Sequence, residues 1–267
     1  MIEKKRIVDT TLRDGEQSAG IALTERDKIE LAIMLDELGV YEIEAGIPIM
    51  QTESKDYITE IKKVCKFSKI SVWSRMNPVD VKQAMLCKPD IIHIGAPVSY
   101  VQIYGKLNKN KTWVQKVLAE CIDIAIAGGI EVTVGFEDAS RSDEGFMINT
   151  AIMIERLGVK TVRVADTVGV LTPHRAAELV KKLHAQVDLN IEFHAHNDLG
   201  MAIANSIASA KAGAQYIDCT LLGIGERSGN CDLSKFLYAT ERLFDCGIDK
   251  RKVEAVENAL KKKCINI

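Results

Sequence analysis

The sequence lacks the features typical of membrane, nucleic-acid-binding and disulfide-bonded proteins. Its seven cysteines include no C-x-x-C pair, so we interpret them as reduced thiols and expect a cytoplasmic protein. No apolar run approaches the ~20 residues that cross a bilayer, and the N-terminal MIEKKRIVDTT does not resemble a signal peptide. The net charge of -2 argues against nucleic acid or an anionic membrane as the main partner.

The sequence also has no linker or low-complexity stretch. Short apolar runs alternate with amphipathic stretches in eight β-α units, whose predicted strands are 6–12, 41–45, 70–74, 90–95, 130–136, 160–165, 191–195 and 216–220. Because 267 residues match the ~250 residues of a (β/α)8 TIM barrel, we predict that α/β fold, with an open doubly wound sheet as the alternative. Residues 1–247 are assigned to the catalytic barrel and residues 248–267 to a basic C-terminal helix or tail.

One stretch, IEFHAHNDLG at residues 191–200, places two histidines on a predicted strand. Since side chains on a strand alternate between its faces, His194 and His196 point the same way. Two imidazoles at the C-terminal mouth of a strand, with a carboxylate nearby, can bind a metal ion. The alternative is a pair of partly buried structural histidines.

The C-terminal ends of the strands are where such barrels carry their active sites. Here almost every predicted strand end bears an ionisable or hydrogen-bonding group, whereas the strand interiors are mostly apolar. Asp14 follows the first strand, which in a closed barrel neighbours the eighth and lies close to the seventh. Asp14, His194 and His196 are therefore predicted to form a two-histidine, one-carboxylate metal site. Otherwise Asp14 is a turn residue before a glycine.

Two residues next to Asp14 have both a chemical and a structural interpretation. A guanidinium beside a metal-bound oxygen can stabilise a developing oxyanion, which is the role considered for Arg13. The structural alternative is a salt bridge from Arg13 to Glu226 or Asp166. Gln17 can hydrogen-bond a substrate carboxylate.

Two glutamates at other strand ends are candidates for acid–base work. Glu44 and Glu137 can move a proton or orient metal ligands. Each can equally well form a structural pair with Arg75 or Arg141. The sequence leaves both interpretations open.

The glycine-rich loop 223–229 follows the eighth predicted strand, where barrels often bind phosphate. Because Glu226 within this loop would repel a phosphate, we interpret the loop as a tight turn that presents Asn230. Asn230 is then a fourth, weaker oxygen ligand or only the end of the turn.

Three motifs together resemble a known family. LRDG-x-Q at residues 12–17, with Lys28 after ten further residues, is similar to the first signature of the 2-isopropylmalate synthase and homocitrate synthase family. IEFHAHNDLGMAIAN is similar to its second signature, and GIGERSGN to the loop after strand eight. The resemblance runs from about Ile7 to Leu237. Within the family, EAGIPIM, HIGAPVS, FEDASR and ADTVGVLTP most resemble the nitrogen-fixation type of homocitrate synthase.

The resemblance implies a metal-dependent acyltransferase. A divalent metal (zinc, manganese, magnesium or iron) would chelate a 2-oxo acid, most simply 2-oxoglutarate, and an enolate of acetyl-CoA would attack it before the thioester is hydrolysed. By position, the implied metal ligands are Asp14, His194, His196 and Asn230. The implied catalytic residues are Arg13 and Glu137. The substrate-binding residues are Gln17, Glu44, Arg75, Ser99 and Thr167.

Two departures from the family pattern shape these expectations. The sequence has Thr133 where lysine-pathway relatives carry a strand-five arginine for the distal carboxylate, and Arg75 could supply that charge instead. The sequence also ends where the barrel ends, without the helical extension that longer relatives place over a neighbouring subunit's site. We expect a homo-oligomer and a second subunit that carries this extension. Of the other histidines, His93, His174 and His184, none is expected at the rim.

Other functions stay open from the sequence. A different 2-oxo acid would make the chain an isopropylmalate, citramalate or citrate synthase. An aldol lyase like 3-hydroxy-3-methylglutaryl-CoA lyase shares the barrel and metal site, but such lyases have a G-x-G-G-C-P loop where this sequence reads GIGERSGN. A barrel subunit that is inactive without its partner is the third alternative.

Overall fold

Eight parallel strands close into one barrel in the computed structural model, which describes residues 2–48 and 54–264. The strands are β1 (Arg6–Asp9), β2 (Glu42–Glu44), β3 (Lys69–Arg75), β4 (Ile91–Pro97), β5 (Glu131–Glu137), β6 (Thr161–Asp166), β7 (Asn190–Ala195) and β8 (Tyr216–Cys219). Each strand pairs with the next, and β1 closes the barrel against β8, in a register that places Arg6 opposite Tyr216. The predicted (β/α)8 barrel is confirmed, and the open sheet is excluded.

Helices follow the strands in alternation and cover the outside of the barrel. They are α1 (Glu25–Leu38), α2 (Ser54–Val64), α3 (Pro78–Met85), α4 (Lys111–Ala127), α5 (Glu144–Arg156), α6 (Pro173–His184), α7 (Ala202–Lys211), α8 (Leu233–Thr240) and α9 (Lys250–Lys263). Thr24 and Asp27 match a capping-box pattern in the sequence, and the structure forms it, with each side chain accepting from the other's backbone amide. The sequence pattern predicts a second helix from Glu53 to Cys65, and Glu53 lies outside the described residues. Within the described ranges, no helix is long and apolar enough to cross a membrane.

The last helix packs on the barrel rather than projecting from it. Val253, Val256 and Leu260 of α9 are buried and belong to the same apolar core as the barrel helices. Lys263 near its end forms ion pairs with two carboxylates of α1. The division at residue 247 stays a prediction, and residues 265–267 of the expected tail lie outside the described residues.

A short pair of strands outside the barrel differs from the sequence prediction. The sequence pattern predicts a helix from Asp232 to Cys246, but helix α8 ends at Thr240. Phe244 and Asp245 instead pair in parallel with Glu3 and Lys4. This contact joins two segments that are far apart in the sequence, so the local pattern of apolar residues could not predict it.

The interior of the barrel is charged, which contradicts the expectation of apolar strand interiors. In β6, Val162 and Val164 are fully buried, and Arg163 between them points to the opposite face. Arg163 reaches carboxylates of β2, β7 and β8, and strands on different sides of the barrel can meet this way only inside it. The apolar layer therefore lies between the strands and the helices.

Candidate active site

The predicted metal ligands meet at the C-terminal mouth of the barrel. Asp14 is buried in the turn after β1, where the backbone amides of residues 13–15 all donate to the carbonyl of Thr10. The Nε2 atoms of His194 and His196 lie 3.0 and 3.6 Å from Asp14 Oδ2. The two Nε2 atoms lie 3.3 Å apart. The three side chains thus converge, as the spacing of the two histidines predicted.

The geometry of this triad fits a metal ion. Metal–ligand bonds of about 2.0–2.1 Å place neighbouring ligand atoms roughly 3.0–3.4 Å apart, close to the observed separations. His196 Nδ1 is buried without a hydrogen-bond partner in the described part of the chain. Burial disfavours a charged ring, but Asp14 and Asp218 outweigh it and raise the pKa of His194 to about 9. The acidic surroundings therefore favour a positive charge at this point, and a bound metal would supply it in place of the proton.

The glycine-rich loop presents Asn230 to the triad. Gly229 has a φ of +85°, and a Cβ there would lie 2.0 Å from the carbonyl oxygen of Gly223. A Cβ on Gly225 would lie 2.7 Å from the Asn230 amide nitrogen. Asn230 Nδ2 donates to Asp14 Oδ2 at 2.8 Å, and its Oδ1 is buried without a partner among the described residues. The tight turn is as expected; a ligand role for Asn230 remains a proposal.

A buried ionic network lies directly beneath the triad. Asp218 Oδ2 lies 2.8 Å from His194 Nδ1, the carboxylate–histidine arrangement that fixes a metal-binding ring. Arg163 lies 3.0 Å from the same carboxylate and 2.5 Å from Glu192. Arg163 also pairs with Glu44, at 2.8 Å. Arg163 thus connects Asp218, which contacts His194, with Glu44, which pairs with Arg13.

Arg13 is anchored by the same network. Its guanidinium pairs with Glu44 and lies 3.5 Å from Asp14 Oδ1, so the alternative salt bridge to Glu226 or Asp166 is not formed. Burial opposes ionisation of Glu44, but Arg13 and Arg163 outweigh it and hold the pKa of that carboxyl well below its ordinary value. Glu44 therefore supports two arginines from below the cavity rather than lining it.

A cavity of about 390 Å³ opens above the triad. The predicted site residues that line it are Arg13, Asp14, Gln17, Arg75, Glu137, Thr167, His194 and His196. Those that do not line it are Glu44, Ser99 and Asn230. Residues that line it without having been predicted include Trp73, His93, Gln102, Lys106 and Arg163.

Two of the predicted substrate contacts act on a turn beside the cavity. Ser99 is fully buried and donates to Asp138 Oδ2 at 2.5 Å. Thr167 Oγ1 accepts from the Asp138 backbone amide at 2.8 Å. Asp138 has a φ of +59°, so these two bonds hold a left-handed turn just after β5. Thr167 also faces the cavity, whereas Ser99 does not.

Arg75 and Glu137 differ in how they face the cavity. Arg75 forms an ion pair with Asp80 of α3, and its side chain is 61% exposed. Glu137 makes no side-chain hydrogen bond within the described ranges. Its carboxylate lies over Gly95, where a Cβ would come within 2.7 Å of Oε1. Burial in the cavity wall raises the pKa of Glu137, which suits a group that exchanges a proton.

His93 is a cavity residue that the sequence prediction missed. Its Nδ1 lies 2.8 Å from Thr133 Oγ1, and its Nε2 would lie 2.4 Å from a Cβ on Gly135. No further histidine was expected at the rim, and His93 lies inside β4, from where its ring lines the cavity. Alternation along β4, with Ile92 and Ile94 on the other face, carried the signal, since the polar member of such a run points inward.

The fold and site together define a barrel protein with a candidate two-histidine, one-carboxylate metal centre. Residues 4–260 match the family model described as HMGL-like, and the chain belongs to that family.

Two curated relatives and one solved structure are similar to the chain. Homocitrate synthase subunit alpha of Clostridium pasteurianum is 49% identical over 237 residues, which cover 89% of this chain and 88% of that protein. 2-Isopropylmalate synthase 2 of Caldanaerobacter subterraneus subsp. tengcongensis is 40% identical over 252 residues, 94% of this chain but only 66% of that protein. The crystal structure of the HMG-CoA lyase from Brucella melitensis superposes with a TM-score of 0.86 at 20% identity, covering 98% of this chain and 99% of that one, and it shares the fold.

The resemblance to the isopropylmalate and homocitrate synthases is thereby confirmed. So is the prediction that the chain is an acyltransferase of this kind.

Proposed function

We propose that the chain condenses acetyl-CoA with a 2-oxo acid and releases free CoA after thioester hydrolysis. The observation that carries this is the convergence of Asp14, His194 and His196, with Arg13 beside them, in a chain 49% identical to a homocitrate synthase subunit. The 2-oxo acid we propose is 2-oxoglutarate, giving homocitrate, because the motifs most resemble the nitrogen-fixation type.

The residues divide the chemistry between them. A divalent metal held by Asp14, His194, His196 and Asn230 would act as a Lewis acid toward the ketone of the 2-oxo acid. Zinc, manganese, magnesium and iron all suit these nitrogen and oxygen ligands.

Arg13 acts on the ketone oxygen of the substrate. Its guanidinium, fixed by Glu44, stabilises the negative charge that develops there as the new carbon–carbon bond forms. A donor that is already oriented needs no rearrangement when the charge appears.

Other cavity residues position the substrates and move a proton. Gln17 and Thr167 hydrogen-bond the 2-oxo acid. Glu137, with its raised pKa and free carboxylate, takes the proton from the methyl group of acetyl-CoA. Arg75 is a proposed contact of the distal carboxylate. Glu44 acts through the arginines, and Ser99 acts through the turn at residue 138.

The test is release of free thiol from acetyl-CoA with a panel of 2-oxo acids and each of the four metals. We expect turnover with 2-oxoglutarate to exceed that with 2-oxoisovalerate, pyruvate or oxaloacetate. A preference for one of the other acids would correct the substrate while keeping the reaction. Thiol release with none of them, together with cleavage of 3-hydroxy-3-methylglutaryl-CoA, would assign the chain to the lyases.

We also propose that a second polypeptide completes the active enzyme. The relative from Clostridium pasteurianum is named as a subunit, and this chain matches 88% of it. The chain alone is expected to bind metal and 2-oxo acid but to turn over slowly. Steady-state turnover of ~1 per second or more by the purified chain would contradict this. Size-exclusion chromatography of the same sample tests the expected homo-oligomer.

A further inference from the structure

Among the described residues, one cation at the cavity forms no ion pair. Four of the described side chains that line the cavity belong to lysine or arginine. Three of them are paired with carboxylates: Arg13 and Arg163 in the buried ionic network, and Arg75 at the end of β3. The fourth is Lys106. Within residues 2–48 and 54–264 its ammonium makes no ion pair and no hydrogen bond.

An unusual backbone segment carries Lys106. Residues Val101–Lys106 form a π-helix after β4, closed by an i to i+5 hydrogen bond of 2.9 Å from the Leu107 amide to the Gln102 carbonyl. π-Helical turns are rare and occur frequently at functional sites. This wide turn brings both Gln102 and Lys106 to the cavity. Gln102 Oε1 is buried there without a hydrogen-bond partner among the described residues.

The position of this pair complements the triad. The triad comes from the ends of β1 and β7, whereas the π-helix follows β4, on the far side of an eight-stranded barrel mouth. A 2-oxo acid whose carboxylate and ketone lie at the triad would extend its tail across the cavity. A lysine ammonium without an ion-pair partner among the described residues is a group that a carboxylate on such a tail would pair with.

We propose that Lys106 binds the distal carboxylate of a dicarboxylic 2-oxo acid and so determines specificity. This inference rests on the proposed function. Arg75 contributes less, because its charge is already shared with Asp80 and is largely in solvent.

The test compares two acids that differ only in tail charge. KM and kcat are measured with 2-oxoglutarate and with its 5-methyl ester, for the wild-type chain and for Lys106→Met. Loss of a charged hydrogen bond predicts a roughly 10- to 100-fold rise in KM for 2-oxoglutarate, with the ester changed by no more than about two-fold. Lys106→Arg should recover part of the loss. Lys109→Met, three residues along and outside the cavity wall, is the matched control and should behave as wild type.

Three outcomes would overturn the proposal. Equal rises in KM for acid and ester would show that Lys106 does not recognise the tail. A lower kcat with both substrates and unchanged KM would show that Lys106 acts through Glu137 instead. Wild-type behaviour of Lys106→Met would show no role at all.

A binding titration separates this inference from the proposed reaction. Trp73 lines the cavity, so its fluorescence can report binding of both acids to Mn²⁺-loaded protein without any turnover. If no 2-oxo acid supports thiol release, the proposed reaction fails. The subsite still stands if 2-oxoglutarate binds more tightly than the ester and Lys106→Met removes that difference, and it fails if the difference is absent.

Discussion

The two sides of the cavity differ in how their charges are held. On the side of β1, β7 and β8, His194 lies between the carboxylates of Asp14 and Asp218. Arg13 is fixed by Glu44. These groups already have their geometry before any ligand arrives. A preorganised site of this kind suits chemistry that is the same for every substrate.

On the side of β4 and β5, His93 pairs with Thr133, but two charged side chains that line the cavity, those of Lys106 and Glu137, make no hydrogen bond within the described ranges. Groups left free in a cavity wall are available to a ligand. The comparison supports the proposal that the metal and the 2-oxo group bind on the side of β1, β7 and β8, which we call the fixed side. It also supports the proposal that the tail binds on the side of β4 and β5, which we call the unpaired side.

The largest effect is expected from removing a ligand on the fixed side. His196→Ala should abolish tightly bound metal, because only two protein ligands from the triad remain. The measurement is metal content after dialysis, with circular dichroism to show that the barrel is intact. Metal content equal to that of the wild type would remove His196 from the site.

A smaller loss of metal affinity is expected when Asp218, which contacts His194, is changed. Asp218→Asn should lower metal affinity about 10- to 100-fold, because the carboxylate that orients His194 loses its charge. Competition with a chelator measures it. Asp188→Asn, an exposed carboxylate on the loop before β7, is the control. Unchanged affinity in Asp218→Asn would mean that the triad is held by backbone alone.

The sequence predicted the ligands of the fixed side but not their supports. His194 and His196 were found from their spacing of two, and Asp14 from its place after the first strand. Arg163, Glu192 and Asp218 were not singled out, because the strand interiors were interpreted as mostly apolar. Their pairing with one another depends on the register between strands. A local sequence pattern holds no information about that register.

The unpaired side was harder still to predict. The sequence indicated Arg75 as a cation for the distal carboxylate, and the structure pairs it with Asp80 five residues along the chain. The position of Lys106 could not be predicted from the sequence. It depends on a π-helix of six residues, which is too short to show a periodic pattern. The barrel itself was predictable, since eight regular repeats of strand and helix constrain the fold more strongly than any single residue does.

The pH dependence of the free energy of unfolding tests whether a buried carboxyl on the fixed side holds a proton in the folded chain. Burial raises the pKa of Glu42, beneath the triad, to about 7, above the 4.5 of an unperturbed glutamate. The folded chain then binds more protons than the unfolded chain between these values, so the free energy of unfolding falls as pH rises through this range. Glu42→Gln should lose less stability between pH 5 and pH 8 than the wild type, by on the order of 2.5 kcal/mol.

Urea unfolding at the two pH values measures this difference. Glu131→Gln, at the solvent-exposed start of β5, is the control and should follow the wild type. A parallel pH dependence in Glu42→Gln and wild type would place the buried proton on another group.

The smallest effect is expected at Arg75. Arg75→Ala should raise KM for 2-oxoglutarate by less than about tenfold and leave 2-oxobutyrate unchanged, because an exposed ion pair contributes little. Steady-state thiol release with both acids measures it. An equal change for both acids would make Arg75 structural, and an effect larger than that of Lys106→Met would reverse the assignment of the two cations.

The most direct test of the division between the two sides is calorimetric. Pyruvate carries only the 2-oxo acid group, and 2-oxoglutarate adds the distal carboxylate. Both are titrated into the chain with and without Mn²⁺, at about 0.02 M and about 0.5 M salt, so that charges near solvent are screened to different degrees. We predict that pyruvate binds only with Mn²⁺ and with little dependence on salt, while the additional affinity of 2-oxoglutarate falls at high salt. Pyruvate binding without Mn²⁺, or a 2-oxoglutarate advantage that is insensitive to salt, would contradict the account.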